Sequence, residues 1–116
     1  MIPVTAHRPD VIAGRATVHF CGGSLALTGK LLLYPQNNVL VLDTEDGGPA
    51  ETLTVNLAVY GLVPETPAEI LVKDWSEGQG IARSLIDAGV AVFMDEHFVG
   101  PFSSRAVRLR LIRKET

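Results

Sequence analysis

The sequence predicts an α+β domain: a mostly antiparallel, twisted sheet of five to seven strands, with one helix at about residues 77–88 packed on one face. Three observations predict it. Apolar and polar residues alternate in several short windows, which is the period of a half-buried strand. Clusters of Gly, Pro, Asn and Asp separate those windows as turn signals. One window alone, just after Trp75, carries helical spacing. The chain has 116 residues, 47% apolar and 20% charged, which suits one domain with a core of its own.

Residues 1–14 hold two prolines and two charges without a period, so they read as a loosely held arm ahead of a single domain over 15–116. Ala16, Val18 and Phe20 then alternate with Thr17, His19 and Cys21 as a first strand. Gly22-Gly23-Ser24 is a hairpin turn, and Leu25 to Tyr34 is the second strand. Gly29 inside that strand predicts a bulge. Pro35 to Asn38 is a turn and Val39 to Asp43 a short apolar strand; Thr44 to Pro49 is an acidic loop. Leu53, Val55, Leu57 and Val59 alternate with Thr52, Thr54 and Asn56, which predicts a half-buried antiparallel strand over 51–59. Pro64 and Pro67 break it, and Ile70 to Val72 form a brief strand.

Ser76 and Gln79 have the spacing of a capping box, so the helix is expected to begin there. Ile81, Ala82, Leu85 and Ile86 share one face, aimed at Leu53, Val55 or Val92, and Gly89 stands where a left-handed C-cap is wanted. Gly78 and Gly80 weaken a helix by about 1 kcal/mol each, so close backbone packing is the expected reason for them. Val90 to Met94 is an apolar run expected as a central strand, and Ala106 to Ile112 closes the domain as another alternating strand, with Val107, Leu109 and Leu111 inward and Arg108 and Arg110 outward.

Composition excludes several functions. A net charge of −3 argues against a general affinity for nucleic acid or an anionic membrane. Cys21 is the sole cysteine, which rules out an intrachain disulfide and a Cys-rich zinc module. No apolar run reaches 18 residues and the N-terminus has no leader pattern, so a cytoplasmic protein is expected. His7, His19 and His97 are far apart, and His19 with Cys21 supplies two ligands at most. Asp43-Thr44-Glu45-Asp46-Gly47 begins like a calcium loop but has no carboxylate at its twelfth position, so it reads as an acidic hairpin tip. Cys21 lacks a neighbouring cation, and Asp95, Glu96 and His97 alternate in direction along a strand. No catalytic set, cofactor or metal is therefore expected.

Two segments resemble known families. Glu77-Gly78-Gln79-Gly80-Ile81-Ala82 opens a helix after a strand, and Gly80 and Ala82 match the end of the acyl-CoA pyrophosphate loop of the GNAT acetyltransferases. Glu77 holds the first position, where a carboxylate would oppose a pyrophosphate, and the two early helices of that family have no counterpart in residues 15–60. The longer likeness runs from Asp43-Thr44-Glu45-Asp46-Gly47-Gly48-Pro49 through Thr52-Leu53-Thr54-Val55-Asn56-Leu57 and Tyr60 to Val72-Lys73-Asp74-Trp75-Ser76-Glu77 and Gly89-Val90. Over about residues 39–95 it resembles the DUF4313-type family of small uncharacterised proteins from bacterial mobile elements. It departs at Gly78 and Ala58, where that family usually has Asn and Pro. The resemblance implies a phage or plasmid origin and no catalytic residue. By analogy with small accessory proteins of such elements, it implies a non-enzymatic module that binds a host-encoded protein, including an inhibitor of host defence. An acyl-CoA-binding acyltransferase and a protein acting by self-association are the alternatives.

Two surfaces compete for the partner. One is the helix start, with Trp75 and Gln79. The other is the last strand, where Arg105, Arg108 and Arg110, followed by Arg113 and Lys114, gather half of all Lys and Arg. Trp and Arg are enriched at binding hot spots. The expectation favours the arginines, as a solvent-facing stripe that an acidic protein surface or a nucleic-acid phosphate backbone would suit equally, with a charge-protected edge strand as the alternative.

Overall fold

The computed structural model describes residues 8–112. Seven strands and one α-helix form two antiparallel sheets. The strands are β1 (Asp10–Phe20), β2 (Leu25–Tyr34), β3 (Val39–Thr44), β4 (Glu51–Thr52), β5 (Glu69–Lys73), β6 (Ala91–Val99) and β7 (Ser104–Leu111), with α1 (Ile81–Asp87) between β5 and β6. The first sheet is a meander in the order β1-β2-β3-β4, and the second has the order β5-β7-β6, so the run from Val90, expected as a central strand, is an edge strand and β7 takes the centre. The fold is thus the expected α+β class, with the strands divided between two sheets. No helix among the described residues is long and apolar enough to cross a membrane.

β1 begins at Asp10, so residues 10–14, expected in the arm, are strand; residues 1–7 lie outside the described residues. The irregularity expected at Gly29 lies instead on the opposite strand, where the β1–β2 register shifts between Val11 and Ala13 and between Ala13 and Ala16. The extra residues let Ile12 and Ala13, neighbours in sequence, both be buried. Gly29 has a different duty. It sits between Ala16 and Thr44, and a Cβ there would lie 2.1 Å from the Asp43 carbonyl oxygen.

The largest correction concerns residues 51–59. Only Glu51 and Thr52 are strand, because the chain then leaves one sheet for the other. The Leu53 N–H donates to the Leu40 carbonyl of β3 (2.8 Å), and the Val55 N–H donates to the Leu71 carbonyl of β5 (2.9 Å). Alternation in side-chain direction survives, since Leu53 and Leu57 are buried. At Val59 it fails, where a 3₁₀ turn over Ala58–Tyr60 leaves the side chain exposed.

The helix is shorter than its sequence signals. Ser76 does not cap it; its φ of 55° places it in a separate 3₁₀ turn over Ser76–Gly78. Gly80, at φ 108°, is the N-cap of α1. At the other end Gly89 (φ 76°) donates to Ile86 and Val90 donates to Leu85, which is a Schellman C-cap. The glycines are required by proximity: a Cβ would lie 2.6 Å from the Lys73 carbonyl oxygen at residue 78, and 2.9 Å from that of His19 at residue 80. Ser84, buried in the helix, accepts from the His19 N–H at 2.8 Å and donates to the Gly80 carbonyl at 2.8 Å. It ties α1 to the end of β1.

One core cluster draws on both sheets and the helix, with Val18, Leu31, Leu40, Leu42, Leu53, Ile70, Leu85 and Leu109 at its centre. Ile81 and Leu85 join Leu53 there as expected. A second cluster lies on the far face of the second sheet, where Leu57, Leu71, Val99 and Ala106 are covered by Val55, Leu62 and Trp75. This second layer comes from residues 55–63 folding back across β5 and β7, and it decides the fate of the arginines.

Candidate docking surface on the β6–β7 hairpin

Strand parity divides the expected arginine stripe. Arg105 has the same parity as Val107 and Leu109 and lies on the helix side of the sheet, whereas Arg108 and Arg110 lie on the far side. Arg108 is not a solvent-facing residue. It is 8% exposed, and its Nη1 donates to Glu69 Oε1 at 2.8 Å and to the Val63 carbonyl at 2.9 Å, while Nε reaches Asp95 at 3.3 Å. Burial works against its charge, but the Glu69 hydrogen bond and the carboxylates of Asp95, Glu69 and Glu65 outweigh it, so the guanidinium holds its proton more tightly than a free arginine. Its work is internal: it fastens the covering segment at Val63 to β5 and β6. Arg110 is exposed and has no ion-pair partner among the described residues. Arg113 and Lys114 lie outside the described residues.

Arg105 is half-buried and forked between two carboxylates. It bonds Glu96 Oε2 through Nε (3.1 Å) and Nη2 (2.9 Å), and Asp74 Oδ2 through Nη1. The Glu96 hydrogen bond raises its pKa most, against burial, with Asp74 adding to the rise. Asp74 also accepts the Gly80 N–H through Oδ1 at 3.3 Å, which links the helix start to β7. A cleft of about 450 Å³ opens beside this cluster. Val107 is among its lining residues, with Ala82, Arg83 and Ile86 from α1, Phe93 from β6, and Asp74 and Arg105.

The other expected contact residues are dispersed. Trp75 is half-buried against the far-face cluster and carries the Lys73 ammonium 5.7 Å from its ring centre, so it does not stand free as a contact residue. Gln79 is exposed, and its backbone carbonyl accepts the Gly22 N–H at 3.0 Å, joining the β1–β2 turn to the helix start. The structure therefore does not bring Trp75, Gln79, Arg105, Arg108 and Arg110 into one surface.

It does bring together residues that the strand reading passed over. Phe93, Phe98 and Phe102 are three of the chain's four phenylalanines, and all three are exposed, at 49%, 61% and 88%. Phe93 and Phe98 pair with Leu109 and Arg105 and so share the helix-side face. Met94 between them is exposed as well. Phe102 stands in the β6–β7 turn, against which the Tyr60 hydroxyl packs at Gly100. The signal was present in the sequence as three aromatics within ten residues that fit no buried alternation.

Glycine amides at the acyl-CoA-like segment are committed elsewhere. Gly78 donates to the Trp75 carbonyl, Gln79 to the Ser76 carbonyl and Gly80 to the Asp74 carboxylate, so all three amides have partners within the chain. Glu77 is held by the Lys73 ammonium and the Ser76 hydroxyl, which pull its pKa from 4.5 to about 2. A depressed folded-state pKa means that this pair supports the fold above the ordinary carboxylate range and loses that support as pH falls from 4.5 towards 2. In an NMR titration the Glu77 carboxyl should have its midpoint near 2 and rise towards 4.5 in Lys73→Ala, with the Ser76 hydroxyl still holding it below that value; a normal midpoint in the parent protein would show the pair to be open in solution.

Asp95 and His97 lie on one face, two residues apart, with Nε2 to Oδ1 at 2.9 Å, so alternation along β6 pairs them rather than separating them. Cys21 is exposed at φ 55° in the β1–β2 turn. Comparison with protein-family models, curated proteins and solved structures finds no match.

Proposed function

We propose that this chain is a protein-binding module and that the β6–β7 hairpin is its contact surface. The observation that carries the reading is the exposure of Phe93, Phe98 and Phe102 on that hairpin. Large aromatic side chains left in water forgo roughly 1.5–3 kcal/mol each of burial, and exposed apolar patches and phenylalanine are enriched at protein interfaces. Arg105, held half-buried by Glu96 and Asp74, supplies a polar border of the kind that surrounds an apolar contact. On the resemblance of residues 39–95 to mobile-element proteins drawn from the sequence, the partner would be host-encoded and the chain an accessory or inhibitory factor.

The test is affinity capture from the cells in which the gene resides, comparing the parent chain, Phe98→Ser/Phe102→Ser and Leu25→Ser. Leu25 is an exposed apolar residue on β2 and serves as the control. All three proteins should keep their thermal midpoint, because exposed substitutions usually stay within about 0.5 kcal/mol. One defined partner should come down with the parent and with Leu25→Ser, and fall at least tenfold with the double variant, equivalent to about 1.4 kcal/mol. Equal recovery by all three, or no defined partner, would remove the hairpin from this role.

A further inference from the structure

The strand order leaves β6 with a neighbour on one side only among the described residues. An edge strand presents unpaired backbone N–H and C=O groups, and a soluble protein usually masks such an edge with charge, proline or a bulge. β6 carries a bulge between Phe93 and Asp95 and two acidic residues at its centre, yet it also keeps Phe93, Met94 and Phe98 exposed. The charges select an occupant rather than merely excluding one. Asp74 and Glu96 share Arg105, and Glu69 and Asp95 share Arg108, so four carboxylates face two guanidiniums and leave a formal surplus of two negative charges. The exposed Arg110 lies opposite Val92, towards the start of the strand and away from that acidic centre.

A second copy of this chain fits poorly. Two-fold pairing of β6 with itself is antiparallel, and a register centred on the strand sets Asp95 and Glu96 against the same residues of the other copy. Like charges directly opposite are destabilising. A strand with Lys or Arg in its middle and apolar residues alternating with them has the complementary pattern. Resting on the reading of this hairpin as a binding surface, we infer that β6 takes up an extended basic segment of another protein as a fourth strand of the second sheet. Backbone hydrogen bonds would supply affinity in that arrangement, and alternate side chains specificity. Apolar side chains of the guest would lie with Phe93 and Phe98 on the helix side, where Glu96 is already paired with Arg105, and its basic side chains would meet Asp95, beside His97, on the far side.

Two capped peptides test this against the full chain: Thr-Val-Lys-Ile-Lys-Val-Thr, and the same peptide with Glu for Lys. Amide resonances and hydrogen exchange of the protein report where each one lies. The basic peptide should shift the amides of residues 91–99 and slow their exchange, weaken as salt is raised, and bind at least tenfold more tightly than the acidic one. Equal response to both peptides, perturbation confined to other elements, or no response at millimolar peptide would overturn the inference. Protection of β6 amides without peptide, with a dimer in sedimentation, would assign the edge to a second copy and also overturn it. If Phe98→Ser/Phe102→Ser abolishes capture while the basic peptide leaves β6 untouched, the binding surface stands and strand addition falls.

Discussion

Arg108→Met is expected to destabilise the protein by about 3–5 kcal/mol, because it removes one member of a buried ion pair and leaves the other behind. The Arg108 and Glu69 side chains are 9% and 8% exposed. Without the guanidinium, Glu69 keeps the Glu65 N–H as a donor at 3.2 Å, and the Val63 carbonyl loses its contact with Arg108. The covering segment over Leu57, Leu71 and Ala106 should loosen with it. Urea denaturation would read the loss directly. The double variant Arg108→Met/Glu69→Leu should recover most of it, since a buried pair replaced as a whole by apolar groups is often neutral. Arg110→Met, on the same face but exposed, should stay within about 0.5 kcal/mol. A cost below about 1 kcal/mol for Arg108→Met would show that the pair is solvated and the segment held by other contacts.

Gly29→Ala should cost on the order of 3 kcal/mol, through crowding rather than lost attraction. Residue 29 lies in a strand paired on both sides, with Ala16 on β1 and Thr44 on β3. A methyl group there would lie 2.1 Å from the Asp43 carbonyl oxygen and 2.8 Å from the Thr44 Cα, both backbone atoms held by the β2–β3 ladder. Relief requires β3 to shift away from β2. Gly14→Ala is the matched control: a Cβ at residue 14 meets nothing within 4 Å, so that change should be neutral or slightly stabilising. Thermal unfolding of the two variants should differ by roughly ten degrees, given about 3–6 °C per kcal/mol in a chain of this size. Equal midpoints would mean that β2 and β3 are farther apart in solution.

The class of fold, β2 and the C-cap at Gly89 were all legible, because alternation and glycine punctuation act locally. The failures have non-local causes. Ser76 and Gln79 satisfy the spacing of a capping box, but the approach of His19 to residue 80 demands a glycine and starts the helix there. Thr52 to Val59 alternate as one strand would, yet a segment that changes sheets halfway keeps the same alternation. The arginines were grouped by proximity in sequence, although parity alone separates Arg105 from Arg108 and Arg110. That Arg108 is buried could not be read from its neighbours, since its cover comes from Val63 and its counter-charge from Glu69. The exposed phenylalanines are visible as composition, but only Phe93 falls in an expected strand, at 90–94; Phe98 and Phe102 lie between the strands expected at 90–94 and 106–112, where alternation assigns no face.

The segment that crosses from Leu40 to Leu71 also bears on the order in which the molecule assembles. The first sheet is a meander whose strands meet their sequence neighbours, so each closure is short. The second must bring β5 to β7 across the helix and β6, a separation of 39 residues at Glu69 and Arg108. Residues 53–55 hydrogen-bond to both sheets within one dipeptide step, so neither can dissolve without disturbing the other's edge. A stopped-flow experiment should therefore show early protection in β1 to β3 and later protection in β5 and β7. At equilibrium the Leu53 and Val55 amides should exchange only through the global unfolding event.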